Sequence, residues 1–178
     1  MSMQERERAE KPSIWLTAAR VLLPIALIAC VVFIFSNSLA IGTVSEGSSG
    51  RVLAFLQRVL TRLGMPDLAG RITMHMVRKA AHFCEYALEG FLLLLCLRVY
   101  LHRWQRHLSG AMLLGLLTAL ADETIQLYSP GRSSQVMDVW IDFSGVLTGM
   151  AVGAVFAALA TALVGAFSRP KMQHRNED

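Results

Sequence analysis

Three short stretches of the chain carry residues able to do chemistry. In the first, Lys79, His82, Glu85 and Glu89 are spaced three and four apart, so a helix sets them on one face. In the second, Asp122 and Gln126 are four apart, and Glu123 stands three from Gln126. In the third, Asp138 and Asp142 are four apart, and Gly145 and Gly149 continue their face, where another helix can come close. Arg132 lies between the second and third. Lys79 and Arg132 suit a phosphate or other anion. His82 and the carboxylates suit an amine, a sugar hydroxyl or a bridging cation. If there is catalysis, His82 or Glu85 is the candidate general base. Glu85, Asp138 and Asp142 are hard oxygen ligands, better matched to Mg²⁺ or Ca²⁺ than to Zn²⁺.

Other chemistries lack their motifs. There is no H-E-x-x-H, no G-x-S-x-G and no phosphate-cradling glycine loop. Gly145-x-x-x-Gly149-x-x-x-Gly153 reads as helix packing. His75 reads as a loop or interface residue. Cys84 falls on a face neighbouring that of His82, so no activated thiol is set up. Cys30, Cys84 and Cys96 all lie in apolar blocks and read as packing residues, without a disulfide framework.

The elements that position these residues are long apolar blocks. Of the 178 residues, 54% are hydrophobic and 17% charged, too little charge for an ordinary soluble domain. The pattern predicts an all-α polytopic membrane protein, a single unit over residues 1–178 with no separate soluble domain. Four spans are expected, at about 15–35, 77–101, 108–128 and 139–167. Trp15 to Phe35 is too long for a signal-peptide core and reads as a retained span, with Pro24 a place for a kink. Asn37 to Gly50 reads as a loop. From Arg51 to Leu63, apolar residues recur at helical spacing opposite Arg51, Arg58 and Arg62, with Ser48 or Ser49 as a cap and Gly64 and Pro66 as the stop. That segment is either an interfacial amphipathic helix or a helix packed over the bundle mouth. His102 to His107 reads as a loop, Ser129 to Ser134 as a turn about Pro130-Gly131, and residues 1–13 and 168–178 as polar tails.

Basic residues set the expected orientation. With the N-terminus inside, ten Lys and Arg fall on inner segments and seven on outer ones, so both termini are expected in the cytoplasm. Trp15 and Trp104 then fit the inner interface, Tyr128 and Trp140 the outer one. The net charge of +4 belongs to these flanks, and no basic and aromatic stripe of the kind that reads nucleic acid is present. In this topology the polar ends of three spans meet at the outer side. A charge in hydrocarbon costs on the order of 2.5–3.5 kcal/mol even on the lenient insertion scale, so these groups are expected to face one another or water. The result is either a salt-bridge network that locks helices or a site for a polar head group.

The same residues carry a family resemblance. Arg78-Lys79-x-x-His82-Phe83-x-Glu85-Tyr86, Asp122-Glu123-x-x-Gln126, Pro130-Gly131-Arg132 and Asp138-x-x-x-Asp142-x-x-Gly145-x-x-x-Gly149 occur in order, after Phe35-Ser36-Asn37-Ser38 at the end of the first span. Together they resemble the VanZ-like family. The resemblance adds Arg78 and Tyr86 to the candidate ligand-binding set. It implies a small bacterial envelope protein of the cytoplasmic membrane. The family's founding member is linked to low-level resistance to the glycopeptide teicoplanin. The resemblance supplies no reaction. Three functions are therefore carried forward. The first is binding of an anionic lipid-linked or cell-wall-precursor head group at the outer leaflet. The second is an intramembrane hydrolase or transferase acting on such a lipid. The third is a small ion-coupled transporter, for which four spans would need a homodimer. Membrane lipids are the expected partners in each.

Overall fold

The computed structural model describes residues 14–39, 42–129 and 135–167. All its regular elements are helical: α1 (Ile14–Leu39), α2 (Gly42–Arg62), α3 (Pro66–Arg71), α4 (Met74–Tyr100), α5 (Leu108–Leu127) and α6 (Val136–Phe167). A short 3₁₀ turn, Trp104–His107, leads into α5 within the expected loop. Four of the helices, α1, α4, α5 and α6, are long and apolar enough to cross a membrane. Large apolar side chains along them stay outward, among them Ile28, Leu113, Leu117 and Phe156, each more than half exposed, as lipid-facing residues should be.

The element ends depart from the sequence expectation in instructive ways. α1 runs through Pro24 and continues to Leu39, with the Ser36 hydroxyl donating back to the Val32 carbonyl at 2.7 Å. α4 starts at Met74, earlier than expected, because Thr73 caps it: its Oγ1 accepts from the Met76 N–H at 3.3 Å. The expected loop over Asn37 to Gly50 is largely helical. α2 begins at Gly42, so Ser48 and Ser49 lie within it and do not cap it. An amphipathic stretch that nucleates a helix can extend it backwards through poor helix formers. The stop is as expected: α2 ends at Arg62, Gly64 takes a left-handed φ of 78°, and Pro66 opens α3, which the sequence reading did not anticipate. The tails 1–13 and 168–178 and the Pro130-Gly131 centre of the turn lie outside the described residues.

The bundle core holds Ile34 of α1, Tyr86 and Leu92 to Leu94 of α4, Ala111 and Ala119 of α5, and Val146 and Met150 of α6. Its tightest seam joins α4 to α6. A Cβ on Gly149 would stand 1.8 Å from the Ala87 carbonyl oxygen, and one on Gly90 would stand 2.0 Å from the Val146 carbonyl oxygen. Absence of side chains at both positions lets the two backbones touch. Gly145 continues the seam, where a Cβ would be 2.6 Å from the Phe83 carbonyl. This seam brings the acidic start of α6 beside the basic start of α4.

At the other end of the bundle, Arg98 of α4 reaches Thr161 of α6 at 3.3 Å and lies over the Trp104 ring. The Tyr100 hydroxyl donates to the Arg20 carbonyl of α1. Cys30 packs in the core as expected. Cys84 does not: it is exposed on α4, turned away from the bundle.

Candidate functional site: a polar cup at one end of the bundle

The end of α1, the start of α4, the end of α5 and the start of α6 meet at one end of the bundle. Contacts between helices define the geometry. Lys79 of α4 pairs with Asp138 of α6, Nζ to Oδ1, at 2.5 Å. His82 Nδ1 is 3.7 Å from Glu85 Oε2 on its own helix. The amide of Asn37 on α1 donates to Glu85 Oε1 at 2.8 Å. Gln126 donates to Asp122 Oδ2 at 2.9 Å and reaches the Ser38 hydroxyl of α1 at 3.4 Å. The Ser129 hydroxyl donates to the Ser38 carbonyl at 3.0 Å. Glu123 Oε2 accepts the backbone N–H of Gln135, fixing the chain as it enters α6.

These side chains surround a small cup. Its wall includes Arg78, Lys79 and His82 from α4, Glu123 and Gln126 from α5, and Asp138 and Asp142 from α6. The interior is about 20 Å³, room for one water-sized body. Lys79 and Asp138 form the open rim, with side chains 24% and 20% exposed. The floor is closed: Asp142 is 2% exposed, and Asp122 beside it is 0% exposed. One ligand atom each from His82, Asp122 and Asp142 lies within 4.8 Å of the others.

Most of the residues singled out from the sequence therefore sit together, but not all do the same thing. Glu85 belongs to the joint with α1 through Asn37, beside the cup and not in its wall. Tyr86 is fully buried beneath it, its hydroxyl turned to the Thr118 carbonyl at 3.5 Å. The cation ligands considered from sequence were Glu85, Asp138 and Asp142. The structure instead groups Asp142 with His82 and Asp122, because Asn37 engages Glu85 and Lys79 engages Asp138. Arg132 lies outside the described residues. Glu89, one turn deeper than Glu85, accepts from the Thr118 hydroxyl at 2.7 Å and is away from the cup.

Three contributors were missed. His75, read as a loop or interface residue, is in the first turn of α4 and lines the cup, 3.4 Å from Arg78. Asn37 and Ser38 hold Glu85 and Gln126 from across the bundle. The available signal was the run of polar residues, Ser36 to Ser38, closing an otherwise apolar span.

No curated protein and no solved structure matches this chain. The VanZ/LLP1 family model matches it over residues 21–157, from the first quarter of α1 to well into α6 and across every wall of the cup; this multi-pass membrane protein belongs to that family.

Proposed function

We propose that the cup recognises the anionic head group of a lipid-linked envelope molecule, such as a cell-wall precursor, at the outer leaflet of the bacterial cytoplasmic membrane. The observation that carries this reading is the way the polar ends of α4, α5 and α6 line one partly open cavity instead of closing into a dry network. Arg78 and Lys79 stand at its mouth, half-buried, where an entering phosphate would meet them. The interior is too small for a head group, so the phosphate sits at the rim and the polar remainder lies over it. The expected orientation, with both termini cytoplasmic, puts that rim at the outer leaflet. The apolar and basic face of α2 then lies along the same membrane surface, with Val52 and Phe55 exposed toward lipid. A contribution to teicoplanin-type resistance would follow from sequestering or handling such a precursor.

Thermal melting of the purified full chain in phosphatidylcholine nanodiscs tests this reading, with a polyprenyl phosphate, the matching polyprenol or phosphatidylglycerol added. The phosphate should raise Tm and the alcohol should not. A ligand at one hundred times its Kd stabilises by about 2.7 kcal/mol, well within detection. Arg78→Gln and Lys79→Gln should weaken the response. Equal responses to phosphate and alcohol would overturn the reading. Time-dependent loss of the lipid's phosphate in the same samples would instead favour the hydrolase, with His82 as general base.

A further inference from the structure

Asp142 poses a problem that the head-group reading leaves unsolved. Its side chain is 2% exposed and lines the cup floor, yet it has no hydrogen bond or ion pair among the described residues. Lys79, which shares the cup wall with it, is already held by Asp138 at 2.5 Å. Around Asp142 stand further acids, Asp122 on α5 and Asp138 on its own helix. A buried carboxylate without a partner is costly, and buried charges are paired or coordinate metals.

The geometry supplies a coordinating set. His82, Asp122 and Asp142 come from three helices and place one ligand atom each within 4.8 Å of one another. Two ligands on opposite sides of an ion, each at about 2.1 Å, stand about 4.2 Å apart. The set closes on an ion with sub-ångström movement. The neighbours are also arranged as supports for ligands. Gln126 donates to Asp122 Oδ2 at 2.9 Å, and Glu85 stands 3.7 Å from His82 Nδ1. A carboxylate behind the imidazole and a donor behind the aspartate are what fix ligands around a metal. The cup has room for one such body.

We propose that His82, Asp122 and Asp142 bind one divalent cation at the floor of the cup, leaving its outward coordination positions for an anionic oxygen of the ligand at the rim. The second half of this statement rests on the head-group reading; the first half does not. The imidazole changes which ion is preferred. Carboxylates alone favour Mg²⁺ or Ca²⁺, whereas a mixed nitrogen and oxygen set favours Zn²⁺ or Mn²⁺. Glu85, 3.7 Å from Nδ1, is a positioning residue for the imidazole.

Equilibrium dialysis of the chelator-stripped full chain in detergent, without added lipid, provides the test, with metal content measured separately for Zn²⁺, Mn²⁺, Mg²⁺ and Ca²⁺. One Zn²⁺ or Mn²⁺ per chain is expected, with Mg²⁺ and Ca²⁺ at least tenfold weaker. Asp142→Asn, Asp122→Asn and His82→Gln should each weaken binding tenfold or more, while His102→Gln and His107→Gln, at the other end of the bundle, leave it within about twofold. Co²⁺ gives a second readout: its visible absorption should change in His82→Gln and persist in His102→Gln. Wild-type protein without stoichiometric metal, or unaltered uptake by folded Asp142→Asn, would overturn the site; preferential uptake of Ca²⁺ would overturn the assignment of His82. Polyprenyl phosphate added afterwards separates the two proposals. Metal uptake without any binding of polyprenyl phosphate retains the site and removes the head-group role. Polyprenyl phosphate binding by a chain that takes up no metal does the reverse.

Discussion

Glu85 and Glu89 stand one helical turn apart on α4, about 6 Å along its axis, in opposite surroundings. Glu85 is at the polar end, where Asn37 donates to one oxygen and His82 lies near the other. Glu89 is among apolar side chains, 1% exposed, with only the Thr118 hydroxyl on Oε1; Oε2 is buried with no hydrogen-bond partner among the described residues. It lies at the base of a lateral cleft of about 270 Å³ between α1 and α5, walled by Leu27, Ile28, Val31, Val32, Leu93 and Leu114. The upper carboxylate ties two helices together through the Asn37 amide. The lower one borrows a hydroxyl that already has a second acceptor, since Thr118 also reaches the Gly115 carbonyl at 2.9 Å. One acid is part of a joint, and the other is a tolerated exception in hydrocarbon.

The largest expected effect removes the frame that separates these two levels. Gly149→Leu places a side chain where the Ala87 carbonyl is already 1.8 Å from a bare Cβ, so folded protein should be lost in fluorescence-detected size exclusion. Gly165→Ala, with nothing within 4 Å, should elute as wild type. The next effect sets the two acids against each other. Glu85→Leu removes the acceptor through which α1 is joined to α4 and should lower stability by about 1–3 kcal/mol. Glu89→Leu strands nothing, because Thr118 keeps Gly115, and should leave Tm unchanged or raise it. Equal losses in the two variants would erase the distinction. A smaller change is expected from Asp138→Asn. Its pair with Lys79 is partly exposed and should contribute no more than about 1 kcal/mol, less at high salt, in chemical-denaturant melts. The gentlest test leaves stability untouched: Ser133→Cys, in a chain lacking Cys30, Cys84 and Cys96, should react with a membrane-impermeant thiol reagent added outside intact cells. Reaction only after lysis would place the cup at the inner leaflet.

Hydropathy made the four spans and their polar ends legible, because a bilayer demands long apolar runs and little else in this chain supplies them. The ends were less legible. Thr73 and Ser36 sit at polar boundaries where helix can continue at low cost, and hydropathy is blind to caps. Gly42 to Gly50 misled because glycine and serine are poor helix formers taken singly, while helix formation is cooperative. Spacing put His82, Asp122, Asp138 and Asp142 on the correct faces of their own helices. Spacing cannot choose partners, however. That Lys79 meets Asp138, and Asn37 meets Glu85, depends on how α1 and α6 rest against α4. The glycines of α6 hinted at one of these contacts, and nothing comparable marked the other.

The glycine seam has a mechanical consequence. With backbone against backbone at Gly90, Gly145 and Gly149, α4 and α6 have no compressible side-chain layer at those points and form one stiff body there. His82 and Asp142 ride on that body, whereas Asp122 rides on α5, whose Gly115 meets side-chain atoms of Val146 and not its backbone. The α5 end, with Asp122 and Gln126, therefore rests on the softer of the two contacts around the cup.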